Sequence, residues 1–136
     1  MKFATSLIAI CFLAACGARS SDEQKVRELV VNMENAAEKR DASDVLEFIA
    51  DDYEDANGFD KDQLKNFLRG YFLAHPKIQL MVSVEALEFP AEGVAHAEVT
   101  VTNVDLNDPD HATFKVEFRR KDDGWRVIRA DRLTPP

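Results

Sequence analysis

The spacing of the apolar residues changes once along this chain, at Pro76, and that change limits the possible folds more than any other feature. Before Pro76, apolar residues recur at intervals of three and four, which is typical of amphipathic helices. After it they alternate with polar residues, which is typical of strands with one buried face. Helices followed by a run of hairpin-linked strands belong to the α+β class. The sequence therefore predicts three N-terminal helices packed on a curved, mostly antiparallel sheet of four to six strands.

Capping patterns indicate where the first two helices begin. The first is predicted to start near Ser20 or Ser21, each of which has Glu or Gln three residues later. The second is predicted to start at Asp41 or Ser43. The buried stripe of the first helix is predicted to consist of Val26, Leu29, Val30, Met33, Ala36 and Ala37.

The third helix has the clearest predicted start. Asp60 is a natural N-cap and Gln63 completes a capping box, while Phe59 is placed to contact Leu64 across the first turn. Pro76 should end the helix, because it disfavours helical geometry at the residue before it.

Four alternating segments after Pro76 predict four long strands, and two of them carry irregularities. The alternation slips near Ala86, which predicts a bulge. The last strand, which begins at Trp125, is apolar on both faces, and this predicts a central position in the sheet. A short edge strand is also possible around Tyr53.

The N-terminus reads as a processing signal. Lys2 precedes an apolar run over residues 7–13 and then small residues, which is the order of a signal peptide. The run is shorter than the roughly 20 residues that a membrane-spanning helix needs. A plain secretory signal with a chance cysteine, or a buried N-terminal helix, are the alternatives.

The end of that segment, Leu13-Ala14-Ala15-Cys16, resembles the lipobox of bacterial lipoproteins. The resemblance implies cleavage between Ala15 and Cys16, and acyl chains such as palmitate on Cys16. Gly17, where some proteobacterial lipoproteins have Asp, implies sorting to the outer membrane rather than the inner membrane. The predicted organisation is a signal peptide over 1–15, the lipidated cysteine and a short tether over 16–21, and one domain over 22–134.

Charge and cysteine content narrow the function. The chain has 17 basic and 25 acidic residues, and removal of residues 1–15 takes away only Lys2. This acidic balance argues against nucleic acid as a partner, since such binding needs a basic face. Of the two cysteines, Cys11 leaves with the signal and Cys16 carries lipid, so the domain has no thiol for a disulfide, metal or nucleophile. We expect no cofactor and no metal.

The helices, the segment Phe48-Ile49-Ala50-Asp51-Asp52-Tyr53, the four strands and the closing Gly124-Trp125-Arg126-Val127-Ile128 resemble the nuclear transport factor 2-like family over about residues 22–132. The resemblance implies a cystatin-like α+β cone. The family contains isomerases, dehydratases and hydrolases as well as non-catalytic transport and assembly factors. Its enzymes place a carboxylate base and oxyanion donors inside the cone, and no such set matches residue by residue here.

Several residue groups are candidates for a site. The residues that could line a pocket are Tyr53, Phe67, Tyr71, Met81, Phe114 and Trp125, and the alternative is that they fill the core. The acidic residues Asp51, Asp52, Glu54 and Asp55 could supply a base or bind a cation, although a solvated edge explains them more simply. His75, His96 and His111 are too far apart in the sequence to predict a metal site.

Together these observations predict a periplasm-facing, lipid-anchored envelope protein with a non-catalytic domain. That domain would bind an apolar small molecule, an envelope protein or a second copy of itself. The alternative is a small enzyme of the ketosteroid isomerase type that uses a buried carboxylate. A buried carboxylate facing a buried Tyr hydroxyl inside the cone would favour the enzyme, whereas a filled interior would favour a protein partner.

Overall fold

The computed structural model describes residues 11–104 and 110–133, with the side chains of the first helix described from Ser20 onward. Three helices precede four strands: α1 Cys11–Glu38, α2 Ala42–Leu46, α3 Lys61–Ala74, β1 Leu80–Ala91, β2 Val94–Asn103, β3 Asp110–Lys121 and β4 Gly124–Arg132. The strands form one antiparallel sheet in the order β1-β2-β3-β4. The predicted α+β class is confirmed, with the lowest of the expected strand numbers.

The start of α1 differs from the prediction. The helix begins at Cys11, so residues 16–21 are helical and no capping box begins it at Ser20 or Ser21. Gly17 is the only poor helix former between these points, and one glycine costs only about 1 kcal/mol relative to alanine. The backbone of Ala15 and Cys16 thus lies within α1, whereas their side chains, residues 1–10 of the predicted signal and residue 134 lie outside the part described.

The other helix predictions are confirmed. Asp41 caps α2, and Asp60 and Gln63 form the predicted capping box of α3. The helix α3 ends at Ala74, just before Pro76. The predicted stripe of α1 faces the core: Val26, Leu29, Val30 and Ala36 are buried, and Met33 and Ala37 are partly buried against them.

The predicted bulge in β1 is also confirmed. The pairing between β1 and β2 shifts register between Glu85 and Glu88. Ala86, inside the shift, has a φ of 51°, a left-handed conformation that is unusual for a residue with a side chain. The bulge reverses the alternation, so Leu87 and Phe89 continue the inward-facing series of the first half of the strand.

The prediction that the last strand is central is wrong, because β4 is an edge strand. It only looks apolar on both faces in the sequence: its pairing with β3 shifts register at Ile128, so Trp125, Val127 and Ala130 all face inward. The segment after α2 covers the free edge of β4. The Ala50 amide donates to the Val127 carbonyl, and the Val127 amide donates to the Phe48 carbonyl, both at 2.9 Å. That segment forms isolated bridges at Ile49 and Glu54, not the short strand expected around Tyr53.

The sheet has two distinct ends. We call the end with the β1–β2 and β3–β4 turns the closed end. Here Phe89 of one edge strand and Trp125 of the other approach with ring centroids 6.0 Å apart, so the sheet curls until its edges meet. The apolar residues around this end, Val26, Ala95, Ala97, Phe118, Trp125 and Val127, are almost fully buried.

We call the opposite end, with the starts of β1 and β3 and the ends of β2 and β4, the open end. Its inward-facing residues Leu80, Val82, Val101, Phe114 and Ala130 are only partly buried. The helix α1 reaches it at Glu38, whose carboxylate accepts from the Leu80 amide at 3.4 Å. No helix within the described residues is long and apolar enough to cross a membrane.

Candidate functional site

The six candidate pocket residues do not surround one cavity. Tyr53 and Trp125 are buried in the core, at 3% and 4% exposure, and Tyr71 and Phe114 are partly buried. Met81 is 65% exposed and lies on the outer face of the sheet, opposite Thr102. The structure therefore places these residues in three environments, and the core-filling alternative describes Tyr53 and Trp125.

Phe67 belongs instead to an aromatic row along α3. Its ring centroid is 6.4 Å from those of Phe59 and Tyr71, and Tyr71 in turn stacks on His75 at 4.0 Å. Phe67, Tyr71 and His75 are four residues apart, which aligns them on one face of the helix. Phe67 is 55% exposed, so the row is a surface feature and not a pocket wall.

Trp125 lies beneath a charged clamp at the closed end. The guanidinium of Arg120 lies 5.9 Å from the Trp125 ring centroid, within range of a cation–π contact. The same guanidinium contacts Asp22 of α1 at 3.3 Å and Glu92 of the β1–β2 turn at 3.2 Å. Arg120 thus links three elements over the filled interior. Within the described ranges, the buried Trp125 Nε1 has no hydrogen-bond partner.

A buried carboxylate does face a buried Tyr hydroxyl. Tyr53 donates its hydroxyl to Asp55 Oδ2 at 2.8 Å, and Asp55 is 8% exposed. The other oxygen, Oδ1, accepts from the amides of Asn57 at 2.9 Å and Phe59 at 3.1 Å. Burial, the hydrogen bond to Asp55 and the charge of Asp55 raise the pKa of Tyr53. Both oxygens of Asp55 are therefore engaged in holding the loop before α3, an arrangement that suits a structural role.

A second carboxylate fastens the same loop to β4. Asp131 Oδ1 accepts from the Ala56 amide at 2.8 Å, and Oδ2 accepts from Arg129. Partial burial alone would raise the pKa of Asp131, but these two hydrogen bonds and the charges of Arg129 and Lys115 lower it overall. Asp131 therefore stays ionised, and its arrangement suits a structural anchor better than a proton donor.

Of the remaining acidic candidates, Glu54 is exposed, while Asp51 and Asp52 line a shallow charged depression of about 500 Å³ beside the β3–β4 turn, with five acidic and three basic side chains. Lys61 pairs with Asp51 at 3.0 Å, and Lys121 pairs with Asp52 at 3.4 Å. The contact with Lys61 lowers the pKa of Asp51. Because the lysines are matched by nearby carboxylates, this depression has no concentrated charge of one sign.

The histidines lie apart, as expected. His75 caps α3, His96 contacts Glu117 across β2 and β3 at 3.2 Å, and His111 is exposed near the start of β3. Among the described residues there is no group of three or more His, Cys, Asp or Glu side chains that could hold a metal ion.

Several solved structures have folds similar to that of this chain. No family model matches the chain, and no curated protein matches it. A protein of unknown function with a cystatin-like fold from Nostoc punctiforme matches with a TM-score of 0.69 and 20% identity, over 85% of this chain and 92% of that one. A nuclear transport factor 2-like protein of unknown function from Shewanella oneidensis matches with a TM-score of 0.66 and 15% identity, over 81% and 97%. The chain has the cystatin-like cone fold.

A candidate scytalone dehydratase from Novosphingobium aromaticivorans has the same cone, with a TM-score of 0.75 and 13% identity over 89% of each chain. Identities this low establish the fold alone, because one fold supports many functions. The function must therefore be argued from this cone's own residues.

The prediction of a solvated acidic edge is wrong for Asp55, which is 8% exposed. The sequence signal for its burial is Tyr53, two residues earlier, whose hydroxyl donates to it.

Proposed function

We propose that this protein is a cell-envelope lipoprotein, anchored through acylated Cys16, with its domain in the periplasm. The observation that carries the anchoring is the sequence Leu13-Ala14-Ala15-Cys16 after a short apolar run. Two or three acyl chains give stable membrane attachment, whereas one is marginal.

Substitution of the cysteine tests the anchor. Cys16→Ser should abolish acylation and release the protein from membranes after a high-salt wash. Cys11→Ser is the matched control, since it removes the other thiol but leaves the lipobox intact, and it should stay with the membrane. Retention of Cys16→Ser in the washed membrane fraction would rule out the lipid anchor.

We further propose that the protein resides in the outer membrane, because Gly17 follows the lipidated cysteine. Separation of the two membranes on a density gradient should recover it mainly from the outer-membrane fraction. Gly17→Asp should shift it toward the inner membrane. Recovery of the unmodified protein mainly from the inner membrane would contradict the sorting proposal.

The domain is proposed to be non-catalytic. The observation that supports this is the filled closed end of the cone, where Val26, Phe118 and Trp125 occupy the interior. The enzymatic alternative has one observation in its favour, the buried Tyr53–Asp55 pair. Its geometry weighs against catalysis, because three hydrogen bonds from its own loop fill most of the roughly four acceptor positions of the carboxylate.

A structural role and a catalytic role for Asp55 predict different responses to Asp55→Asn. The amide keeps one acceptor oxygen, so partial loss of stability with unchanged partner binding is expected. If a substrate were found whose turnover stopped in Asp55→Asn at full folding, Asp55 would be a base and the enzymatic alternative would hold.

We propose that the partner is an envelope protein or a second copy of the chain, and not an apolar small molecule in the cone. The outer sheet face supports this, since its two halves differ in net charge. The β1–β2 half carries Glu85, Glu88 and Glu98, whereas the β3–β4 half has a net charge of +2, from Lys115, Arg119, Arg126, Arg129, Glu117 and Asp131. Two copies related by a twofold axis could place each acidic half against the other's basic half.

Sedimentation of the lipid-free chain tests for a homodimer of this kind. The double variant Glu85→Lys, Glu98→Lys should not dimerise by itself. Mixing it with the double variant Lys115→Glu, Arg129→Glu should restore a dimer, and these two results together would support the proposal. A monomer at all concentrations would assign the role to a different envelope protein. Saturable binding of an apolar compound in the cone would contradict the proposal. It would be seen as protection of the Phe114 and Ala130 amides from hydrogen exchange.

A further inference from the structure

The closed end and the lipidation site lie at the same end of the molecule. Asp22 of α1 contacts Arg120, which also contacts Glu92 in the β1–β2 turn, so residue 22 is fixed at the closed end. Cys16 is six residues earlier. As continuous helix that distance is about 9 Å, and even fully extended it is under about 22 Å. The anchor therefore enters the membrane close to the closed end in either conformation.

The open end is held away from that point by α1 itself. The helix runs from Asp22 at the closed end to Glu38, which contacts Leu80 at the open end. These 16 residues of helix span about 24 Å. A short tether at one end of a rigid rod of this length gives the two ends of the domain different distances from the bilayer.

The closed end has no excess of basic side chains that would attract anionic headgroups. Each basic side chain near its two turns is matched by a carboxylate: Arg120 by Asp22 and Glu92, Lys121 by Asp52, and Arg126 by Asp123. The chain from Cys16 onward carries 16 basic and 25 acidic residues, so repulsion from anionic lipid acts on the domain as a whole. The short tether and the direction of α1, and not charge, therefore set the orientation.

We infer that the lipidated protein stands end-on, with the closed end against the bilayer and the open end directed away from it. This inference rests on the proposed lipid anchor at Cys16. It assigns the β1–β2 and β3–β4 turns as the membrane-facing surface. The open end, where Leu73, Met81 and Leu133 are exposed, is then the part of the domain farthest from the lipid.

Chemical attachment tests the orientation separately from acylation in the cell. Cys16 is the only thiol in residues 16–136, so a maleimide lipid in phosphatidylcholine nanodiscs couples there alone. With a gadolinium-chelate lipid in the disc, the amides of Glu92, Gly93 and Asp123 should lose most of their NMR signal. The amides of Leu73 and Met81 should keep most of theirs. Equal broadening at both ends, or stronger broadening at Leu73 and Met81, would overturn the inference.

A linker variant provides the control. Insertion of a flexible Gly-Ser segment of about ten residues between Ser21 and Asp22 lengthens the tether without changing the domain. It should make the broadening weak and even. If the closed end stayed selectively broadened with the long linker, direct affinity for lipid, and not the short tether, would set the orientation, which would also overturn the argument. Failure of acylation in cells would contradict only the proposed anchor, since the coupled protein does not depend on it.

Discussion

The closed and open ends of the cone are stabilised by different interactions. At the closed end, the apolar side chains of Val26, Phe118 and Trp125 are almost completely buried, and Arg120 links the surrounding elements above them. Toward the open end, most inward-facing strand residues are only partly buried, and one that is buried, Asn103, is polar. There the loop before α3 is held to β4 by the hydrogen bonds of Asp55 and Asp131. Apolar packing therefore stabilises the closed end of this cone, whereas a polar network stabilises the open end.

The largest effect should follow from removing packing at the closed end. Trp125→Ala should lower the free energy of unfolding by about 3–5 kcal/mol, because it removes a large buried side chain. Phe67→Ala, a matched aromatic truncation on the exposed row of α3, should cost about 1 kcal/mol. Denaturant titration measures both. Similar losses for the two variants would contradict the distinction between a filled interior and a surface row.

The polar network predicts a second, smaller loss. Asp55→Ala should cost about 2–3 kcal/mol, since it leaves the buried Tyr53 hydroxyl and two partly buried amides without their acceptor. Asp52→Ala, three residues earlier on the exposed edge, should change stability by less than about 1 kcal/mol. Thermal unfolding compares the two, and an equal effect would place Asp55 on the solvated edge after all.

The same network predicts a dependence on alkaline pH. Burial raises the pKa of Tyr53 above its value of about 10 in an unfolded chain. The folded state then holds a proton that the unfolded state has released, so this contribution is complete below about pH 10 and is lost as the pH rises toward the folded pKa. The loss approaches about 1.4 kcal/mol per pH unit. Tyr53→Phe should remove this part of the dependence, and Tyr71→Phe should keep it. An unchanged alkaline profile in Tyr53→Phe would refute the assignment.

The clamp that Arg120 forms at the closed end should contribute least to the free energy of unfolding. Arg120→Met keeps much of the apolar stem over Trp125 but removes the contacts with Asp22 and Glu92. We expect a loss of about 1 kcal/mol, because partly exposed ion pairs are weak. Arg119→Met, on the outer face, should have a smaller effect. If Arg120→Met were neutral, the apolar packing alone would fix α1 at this end.

Local rules predicted much of this fold. The stripe of α1, the capping box at Asp60 and Gln63, and the bulge at Ala86 each depend on residues close together in the sequence, and each is present. The prediction that β4 is central failed, because a register shift at Ile128 places its apolar residues Trp125, Val127 and Ala130 on one face. The free edge of β4 is covered by a segment some 75 residues earlier in the chain, between Phe48 and Glu54, and no local pattern reports that contact.

The candidate site was harder to predict for the same reason. Both Phe67 in α3 and Met81 in β1 are apolar residues that could face the core or the solvent. Their burial depends on which elements pack against each face, and the local sequence does not give that. The acidic neighbours of Asp55 predict a solvated edge, whereas its partners are one side chain and two amides of its own loop. The clamp of Arg120 joins three elements that are distant in the sequence, so it could be found only in the fold.

Native-state hydrogen exchange tests the difference between the two ends most directly. Ala95 pairs with Phe118 near the closed end, and Val101 pairs with Ala112 six residues along the same two central strands. The pairs share strands and bonding pattern, so they differ mainly in their distance from each end. The account predicts that Ala95 and Phe118 exchange only by global unfolding, whereas Val101 and Ala112 exchange through local opening at a lower free energy. Equal opening free energies, or stronger protection at Val101 and Ala112, would contradict it.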